Sequence, residues 1–145
     1  MTTRREFVEK ALEWQGTPFH HQARLKGVGC DCLGLVVGVC NELGIPVVDQ
    51  SNYKRFEQGD ALAKELLTQT LGQILLEDIK IGDIIHYKWP EERTPERTQH
   101  IAIYIGDGLI LHADGSVLAK QVQKARINFT PRATVVGVYR MNLED

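Results

Sequence analysis

The amino-acid sequence predicts an α+β domain in which helices come first and an antiparallel β-sheet follows. Apolar residues recur at helical spacing up to residue 71, and from residue 83 onward the spacing changes to alternation. The later segments are short, rich in β-branched and aromatic side chains, and separated by turn residues. Helices and strands segregated in this way are typical of an antiparallel sheet with helices packed on one face.

The second of three predicted helices is the central one. Residues 32–43 read CLGLVVGVCNEL, a run that is apolar nearly all round and too long for most buried strands. Asp31 stands at its N-cap and Gly44 at its C′ position. We therefore predict a buried helix with Cys32 as its first residue. The first helix is predicted to begin at a capping box of Thr3 and Glu6 and to end before Gly16, and the third to span 59–71.

The predicted strands lie in the second half of the chain. Four segments carry the alternating or β-branched pattern of strands, and a fifth is weaker. The four are 83–89, 100–105, 109–113 and 134–141, and the weaker one is 116–123. Segments 19–31 and 90–99 carry turn residues or charges and are predicted to be loops.

Length, charge and cysteine content restrict the class of protein. The 145 residues, 43% of them hydrophobic, predict a single domain over 1–145. A formal net charge of −2 predicts no nucleic-acid partner, because such binding depends on a basic surface. No stretch has the ~18 apolar residues of a membrane span, and the first residues lack the apolar core of a secretion signal, so we expect synthesis in the cytoplasm. Three cysteines are too few for a disulfide scaffold, and we expect them to be thiols.

Cys32 is the candidate nucleophile of the chain. In the first turn of a helix, unpaired backbone N–H groups and the positive end of the helix dipole favour a thiolate over a thiol. We therefore expect this position by itself to lower the pKa of the Cys32 thiol. Cys30 lies in the preceding loop without that advantage, and Cys40 lies two turns further along the helix, where we expect it to pack in the core.

A thiolate nucleophile needs a base within hydrogen-bond reach, and His100 is the candidate. In the segment 100–105, three isoleucines alternate with His100, Ala102 and Tyr104, so the two sets lie on opposite faces of a strand. His112 lies on the next predicted strand. If it shares the face of His100, it can orient that imidazole as the third member of a catalytic group.

The turn between these two strands decides whether the imidazoles can meet. A two-residue turn at 107–108 would place His112 on the face opposite to His100, because strand pairing makes facing a matter of parity. A three-residue loop at 106–108 would pair residue 105 with residue 109, and both histidines would then share a face. We predict the longer loop, with its last glycine at positive φ and His112 opposite Ala102.

Four motifs, taken in order, resemble those of the NlpC family of cell-wall cysteine peptidases, which have a papain-like α+β fold. They are GTPF at 16–19, DCLGL at 31–35, GDII at 82–85 and HIAIYIGDGLILHA at 100–113. The resemblance implies that Cys32 is the nucleophile, His100 the base and His112 the third polar residue. It also implies an oxyanion site that includes the backbone N–H of Cys32, and it requires neither a metal nor an organic cofactor.

The resemblance further implies a substrate and a setting. The family cleaves peptide stems of bacterial peptidoglycan, commonly between D-glutamate and diaminopimelate. Leu33 stands where the family commonly has serine, and FHHQA at 19–23 stands where it has tyrosine, an aromatic residue and two glycines. The CDCLGLV motif looks most like peptidases of phage tails and gene-transfer particles, which implies phage tail proteins as partners and action on the cell wall from a virion. The positions implied to bind the stem peptide are Phe19, His21, Asp31, Leu33 and Tyr104.

Other interpretations use the same residues. An acyltransferase or amidase of the same superfamily would act on another acyl substrate, and a non-catalytic tail-assembly protein would only bind in the groove. Cys30 and Cys32 with His20 and His21 supply enough ligands for zinc, although C-x-C without a second spaced pair is weak evidence. A redox disulfide between Cys30 and Cys32 would be strained, because only one residue separates them.

Overall fold

A computed structural model of the protein describes residues 1–48, 69–89 and 99–145. In that part of the chain there are two α-helices and eight β-strands, and six of the strands form one antiparallel sheet. The two helices precede this sheet, so the predicted α+β class is confirmed. The helices are α1 (Arg4–Leu12) and α2 (Cys32–Leu43), and the strands are β1 (Arg24–Leu25), β2 (Gly29–Cys30), β3 (Gln73–Ile74), β4 (Ile84–Lys88), β5 (Gln99–Gly106), β6 (Leu109–Asp114), β7 (Gln121–Arg126) and β8 (Thr134–Tyr139).

Local sequence signals set the limits of both helices. Thr3 and Glu6 form the predicted capping box at the start of α1, with hydrogen bonds of 3.1 and 3.2 Å. The carboxylate of Asp31 accepts a 2.7 Å hydrogen bond from the N–H of Gly34 and caps α2. Gly44 ends α2 with a left-handed φ of 69°, which glycine adopts without strain. Among the described residues, no helix has the length and apolar character needed to cross a bilayer.

The six-stranded sheet has the order β3-β8-β4-β5-β6-β7, and its neighbouring strands are antiparallel. The four stronger predicted segments correspond to β4, β5, β6 and β8. The weaker prediction at 116–123 is displaced, because β7 begins only at Gln121. Strands β1 and β2 form a small hairpin within the predicted loop 19–31. The sequence did not indicate them, because strands of two residues are too short to show alternation. Of the helix predicted over 59–71, residues 59–68 lie outside the described part of the chain.

Alternation along the sheet sorts apolar side chains onto two faces. Ile101 and Leu111 pack with the two helices in the main core, whereas Ile85 and Ala102 pack in a second cluster. Tyr104 packs against that second cluster. The isoleucines of β5 therefore lie on the helix side of the sheet and the other set on the opposite side, as predicted.

The start of α2 is fixed by close packing behind it. A Cβ atom at Gly38 would lie 2.1 Å from the ring of Trp14, so this approach requires glycine. Trp14 follows α1 and is 1% exposed, and its indole N–H donates to Glu42 at 2.6 Å. The contact holds α2 against the N-terminal helix and so determines where Cys32 lies.

Asp83 of the GDII motif connects the sheet to both chain ends. Its carboxylate is fully buried and accepts a 2.8 Å hydrogen bond from the N–H of Lys80. It also lies 3.3 Å from the guanidinium of Arg4 in α1 and 2.9 Å from that of Arg140, just after β8. The motif that precedes β4 therefore has a structural role in this fold.

Candidate active site

Cys32 is the first residue of α2, and its sulfur lies against strand β5. The backbone N–H groups of Ile101 in β5, and of Leu33 and Cys32 at the helix start, lie close enough to this sulfur to favour its ionised form. Ile101 directly follows His100 in β5. The register pairs β5 with β6 only from Ile103 onward. The helix start therefore brings the sulfur to the end of β5 that carries the candidate base.

The expectation that the Cys32 thiol has a lowered pKa is wrong. Burial, and after it the negative charge of Asp31, raise the pKa of the Cys32 thiol to about 12. The three backbone N–H groups act in the opposite direction but are outweighed. A position at a helix start therefore does not by itself lower the pKa of this thiol.

The turn that joins β5 to β6 is shorter than predicted. Gly106 pairs with Leu109, which leaves a two-residue turn of Asp107 and Gly108 with φ values of 56° and 74°. A β-bulge between Tyr104 and Gly106 inserts one extra residue on β5. The bulge restores the parity that the shorter turn would have lost.

The register beyond the bulge brings the two imidazoles together. Ile103 pairs with Leu111, so His112 lies opposite Ala102 and on the face of His100, as predicted. Nε2 of His100 lies 2.8 Å from Nδ1 of His112, and the ring centroids are 5.0 Å apart at an interplanar angle of 74°. The two histidines therefore face each other as predicted, although the turn between their strands is one residue shorter than predicted.

The tautomers of the two rings decide which nitrogen donates in this hydrogen bond and which one is left as the base. When Nε2 of His100 donates to Nδ1 of His112, the Nδ1 of His100 is the basic nitrogen of that ring. The same tautomer places the proton of His112 on its Nε2. His112 is 1% exposed, and burial lowers its pKa, while the charge of Asp114 acts in the opposite direction. A neutral His112 can therefore orient His100 for proton transfer.

Three aromatic side chains near the histidines were not identified from the sequence as site residues. Tyr87 lies directly opposite His100 in the β4–β5 pair, with ring centroids 6.3 Å apart. Trp89 lies 5.8 Å from His100, and Phe129 lies 4.8 Å from His112. Phe129 is contributed by the segment after β7, and no periodicity in the sequence connects it with either histidine. Only the three-dimensional structure reveals the group.

The residues implied to bind substrate fall into two places. Phe19 forms a bridge with Cys30, next to the start of α2, and both Phe19 and Leu33 are partly buried against the main core. Nδ1 of His21 lies 3.8 Å from Asp31. Tyr104 lies further along β5, where its hydroxyl accepts a 3.1 Å hydrogen bond from the N–H of Gly108 and supports the turn. Four of the five positions therefore lie around the helix start, and their contact with substrate stays a prediction.

Asp31 joins the loop before α2 to the helix. Besides Gly34, its buried carboxylate accepts a 2.8 Å hydrogen bond from the N–H of Gln22 and lies 3.3 Å from the guanidinium of Arg24. A Cβ atom at Gly34 would lie 2.0 Å from the carbonyl oxygen of Ala23. The loop is therefore packed tightly on the first turn of α2, and Asp31 positions Cys32 through that packing.

The alternatives of zinc binding and disulfide formation concern the same loop. Cys30, Cys32 and Cys40 are all free thiols, and burial is the main reason that the pKa of Cys30 is raised to about 12. Within the described ranges, no group of three or more His, Cys, Asp or Glu side chains is arranged to hold a metal ion. Cys30 is fully buried beside Pro18, whose carbonyl accepts its N–H at 3.0 Å.

A comparison with protein-family models places the chain in a family. A model of the NlpC/P60 family matches residues 13–136, a range that includes Cys32 and both histidines. The chain belongs to the NlpC/P60 family. This result confirms the family that the four sequence motifs indicated.

Solved NlpC/P60 structures have the same fold. NlpC1 from Trichomonas vaginalis gives a TM-score of 0.70 at 19% identity and covers 94% of this chain and 43% of its own. A lipoprotein-like NLP/P60 protein from Staphylococcus aureus gives a TM-score of 0.67 at 18% identity, and the match covers 98% of this chain and 42% of that protein. The NlpC/p60 domain of the peptidoglycan hydrolase SagA gives a TM-score of 0.64 at 19% identity, and the match covers 97% of this chain and 100% of that domain.

These NlpC/P60 likenesses carry the fold and no more. The chain spans less than half the length of the first two proteins and the whole of the SagA domain. At such identities the papain-like architecture is shared, with two helices packed on an antiparallel sheet. No curated protein sequence is significantly similar to the chain.

Proposed function

We propose that the protein is a cysteine peptidase that hydrolyses an amide bond in the peptide stems of peptidoglycan. The observation that carries the proposal is the 2.8 Å hydrogen bond between His100 and His112, at the end of β5 against which the Cys32 sulfur lies. Membership in the NlpC/P60 family and the likeness to a peptidoglycan hydrolase domain support the substrate class.

The raised pKa of Cys32 shapes the proposed mechanism. The sulfur attacks the amide carbonyl carbon while Nδ1 of His100 takes the thiol proton, so that no free thiolate has to accumulate. Backbone N–H groups at the start of α2, including that of Cys32, stabilise the negative charge on the carbonyl oxygen. His112 holds His100 in the required orientation by accepting its Nε2–H.

The second half of the reaction regenerates the thiol. The C–N bond breaks as His100 returns its proton to the leaving amine, and a thioester between the substrate carbonyl and the Cys32 sulfur remains. Water then adds to the thioester carbon, with His100 accepting a proton from the water. The C–S bond breaks, the stem peptide leaves with a new carboxylate, and the proton returns to the sulfur.

The substrate groove is proposed to run past the helix start. Phe19, His21 and Leu33 lie around it and are proposed to contact the stem peptide, with Asp31 supporting them from beneath. Leu33 supplies an apolar side chain and His21 an imidazole, and these groups would set which stem residues are accepted. Tyr104 is proposed to act through the β5–β6 turn.

Digestion of purified sacculi tests the proposal. The protein is incubated with sacculi, and mass spectrometry of the released material identifies any new amine and carboxylate ends. Wild type should release stem fragments, and Cys32→Ala should release none. Cys40→Ala is the matched control, since it removes another thiol from the same helix and should retain activity.

The outcomes also separate the alternatives. Transfer of an acyl group to an added amine or alcohol, without free carboxylate, would support an acyltransferase that uses the same site. Equal release by wild type and Cys32→Ala, or release by neither, would contradict the peptidase, and unchanged binding of Cys32→Ala to sacculi would then favour a protein that only binds.

We also propose that the enzyme is synthesised in the cytoplasm and carried in a phage tail or gene-transfer particle, from which it acts on the wall. The CDCLGLV motif supports this setting, because it most resembles peptidases of such particles. Mass spectrometry of purified particles from the producing strain should detect the protein together with tail proteins. Its presence in the cell envelope fraction and absence from particles would contradict the proposal.

A further inference from the structure

The hydrogen bond between the two site histidines lies against a connected group of aromatic rings. The ring centroid of Phe129 lies 4.8 Å from that of His112 and 6.2 Å from that of His100. Trp89 meets His100 at 5.8 Å and Phe129 at 6.0 Å, both edge to face. Phe129 and Trp89 therefore contact each other as well as the histidines, and they form one apolar cover.

The position of Phe129 is fixed from the sheet below it. The hydroxyl of Tyr87 donates a 2.6 Å hydrogen bond to the carbonyl of Ile127, two residues before Phe129. The Tyr87 ring also packs edge to face on Phe129 at 5.3 Å. Tyr87 is itself the residue opposite His100 on the neighbouring strand. The strand beside His100 thus also holds the segment that brings Phe129 over the histidine pair.

The environment of His112 gives this cover a chemical role. Its Nε2 is buried and has no hydrogen-bond partner in the described part of the chain. A protonated His112 would have an N–H on both nitrogens, and Nδ1 could then no longer accept from His100. An apolar neighbour at 4.8 Å disfavours that charged form, because it solvates charge poorly. The neutral form is the one that the proposed mechanism needs.

We propose that Phe129, supported by Trp89, is a positioning residue that keeps water from the His100–His112 hydrogen bond and keeps His112 neutral. This inference rests on the proposed function for its catalytic meaning, but its physical content concerns only the histidines. Among the described residues, the titratable groups that face His112 are His100 on β5, Asp114 on its own strand and, beyond His100, Tyr87 on β4. Across β6–β7 the opposite residue is Gln123, which does not titrate.

Histidine NMR of the full chain tests this inference without requiring turnover. In a Cys32→Ala background, the ring signals of His112 report its protonation midpoint and its tautomer. Phe129→Ala should move that midpoint upward, toward the ordinary histidine value of about 6.5, and Phe129→Leu should restore it by replacing the apolar cover. A thermal melt of each variant shows that it is folded.

A second substitution keeps the test decisive if Phe129→Ala does not fold. Phe129→Gln retains much of the side-chain length but places an amide dipole against His112, and it should also raise the midpoint. A folded Phe129→Ala or Phe129→Gln protein whose His112 midpoint equals that of wild type would overturn the inference. So would a Phe129→Leu protein whose midpoint rises as far as that of Phe129→Ala.

Turnover then separates this inference from the proposed function. With active Cys32, Phe129→Ala should lower kcat on sacculi by roughly ten- to a hundred-fold with little change in KM, and should move the acidic limb of the pH profile upward. If the wild type has no activity on sacculi but the NMR midpoint shifts as expected, the inference about the apolar cover is supported and the proposed reaction is contradicted. If activity is present and neither midpoint nor pH profile moves, the cover fails and the reaction stands.

Discussion

Asp31 both positions Cys32 and opposes its ionisation. Its carboxylate accepts the Gly34 N–H at 2.7 Å and thereby fixes the first turn of α2, where Cys32 lies. The same negative charge is the second cause, after burial, of the raised pKa of the Cys32 thiol. The residue that holds the candidate nucleophile in place therefore also raises the pKa of its thiol.

Asp31→Asn should separate these two effects. Asparagine is as good an N-cap as aspartate, so the helix start should persist, while loss of the charge should lower the pKa of Cys32. Alkylation of Cys32, followed by peptide mass spectrometry from pH 7 to 10, should be faster in the variant at every pH. Cys30 and Cys40 are buried internal references in the same measurement.

The matched comparison is Asp31→Ala, which removes the charge and the cap together. It should cost about 1 kcal/mol more in the free energy of unfolding than Asp31→Asn, measured by urea denaturation. An alkylation rate in Asp31→Asn no higher than in wild type would show that the charge has no effect on the sulfur.

Gly34→Ala should destabilise the protein although alanine is the better helix former. The added Cβ would lie 2.0 Å from the backbone carbonyl oxygen of Ala23, which cannot move without displacing the loop before α2. We expect a loss of about 2 kcal/mol in the free energy of unfolding, as for other overpacked sites. Asn41→Ala, at an exposed position of the same helix, is the control and should be neutral or slightly stabilising. A Gly34→Ala protein as stable as Asn41→Ala would contradict the close approach.

The features that the sequence predicted correctly are those set locally or by parity. The caps at Thr3, Asp31 and Gly44 depend on residues within one turn of the helix end. The sorting of Ile101 and Ala102 to opposite faces follows from the two-residue period of a strand. Neither feature requires knowledge of distant contacts.

The features that could not be predicted from the sequence depend on residues far apart in the chain. The pKa of Cys32 depends on how deeply the packed chain buries the sulfur, which helix position alone does not indicate. The contact of Phe129 with His112 depends on where the segment after β7 returns to the sheet. The positive φ of Gly108 was predicted correctly, but the length of its turn was not, because a bulge with a short turn and a longer loop give the same parity.

Asp83→Asn should be among the most destabilising polar substitutions in the chain. The fully buried carboxylate is paired with Arg4 and Arg140. Neutralising it removes the carboxylate that Arg140 pairs with and leaves Arg4 only the exposed Asp145. Removing one partner of a buried ion pair costs about 3–5 kcal/mol, to be measured by urea denaturation at pH 7. Asp145→Asn is the control, because Asp145 also pairs with Arg4 but is exposed at 73% of its side chain, and its loss should have little effect. Equal effects of the two substitutions would refute the structural role of Asp83.

Two buried histidines should make the fold less stable in weak acid. Burial lowers the pKa of both His86 and His112 below the ordinary histidine value of about 6.5. The unfolded chain therefore binds protons below about pH 6.5 that the folded chain does not, and stability falls as pH falls through this range. The pKa values of the exposed Glu13 and Asp145 are also lowered, and the stability that these carboxylates contribute is lost only near and below about pH 4.

Urea denaturation at pH 7.5, 6.5 and 5.5 measures this dependence. Each buried histidine can contribute a slope of up to about 1.4 kcal/mol per pH unit. His86→Phe removes one titrating ring and its 2.9 Å bond to Gln99, so it should lower stability at pH 7.5 but reduce the pH slope by about half. An equal slope in wild type and His86→Phe would mean that the buried His86 ring takes up a proton in the folded protein as readily as in the unfolded chain.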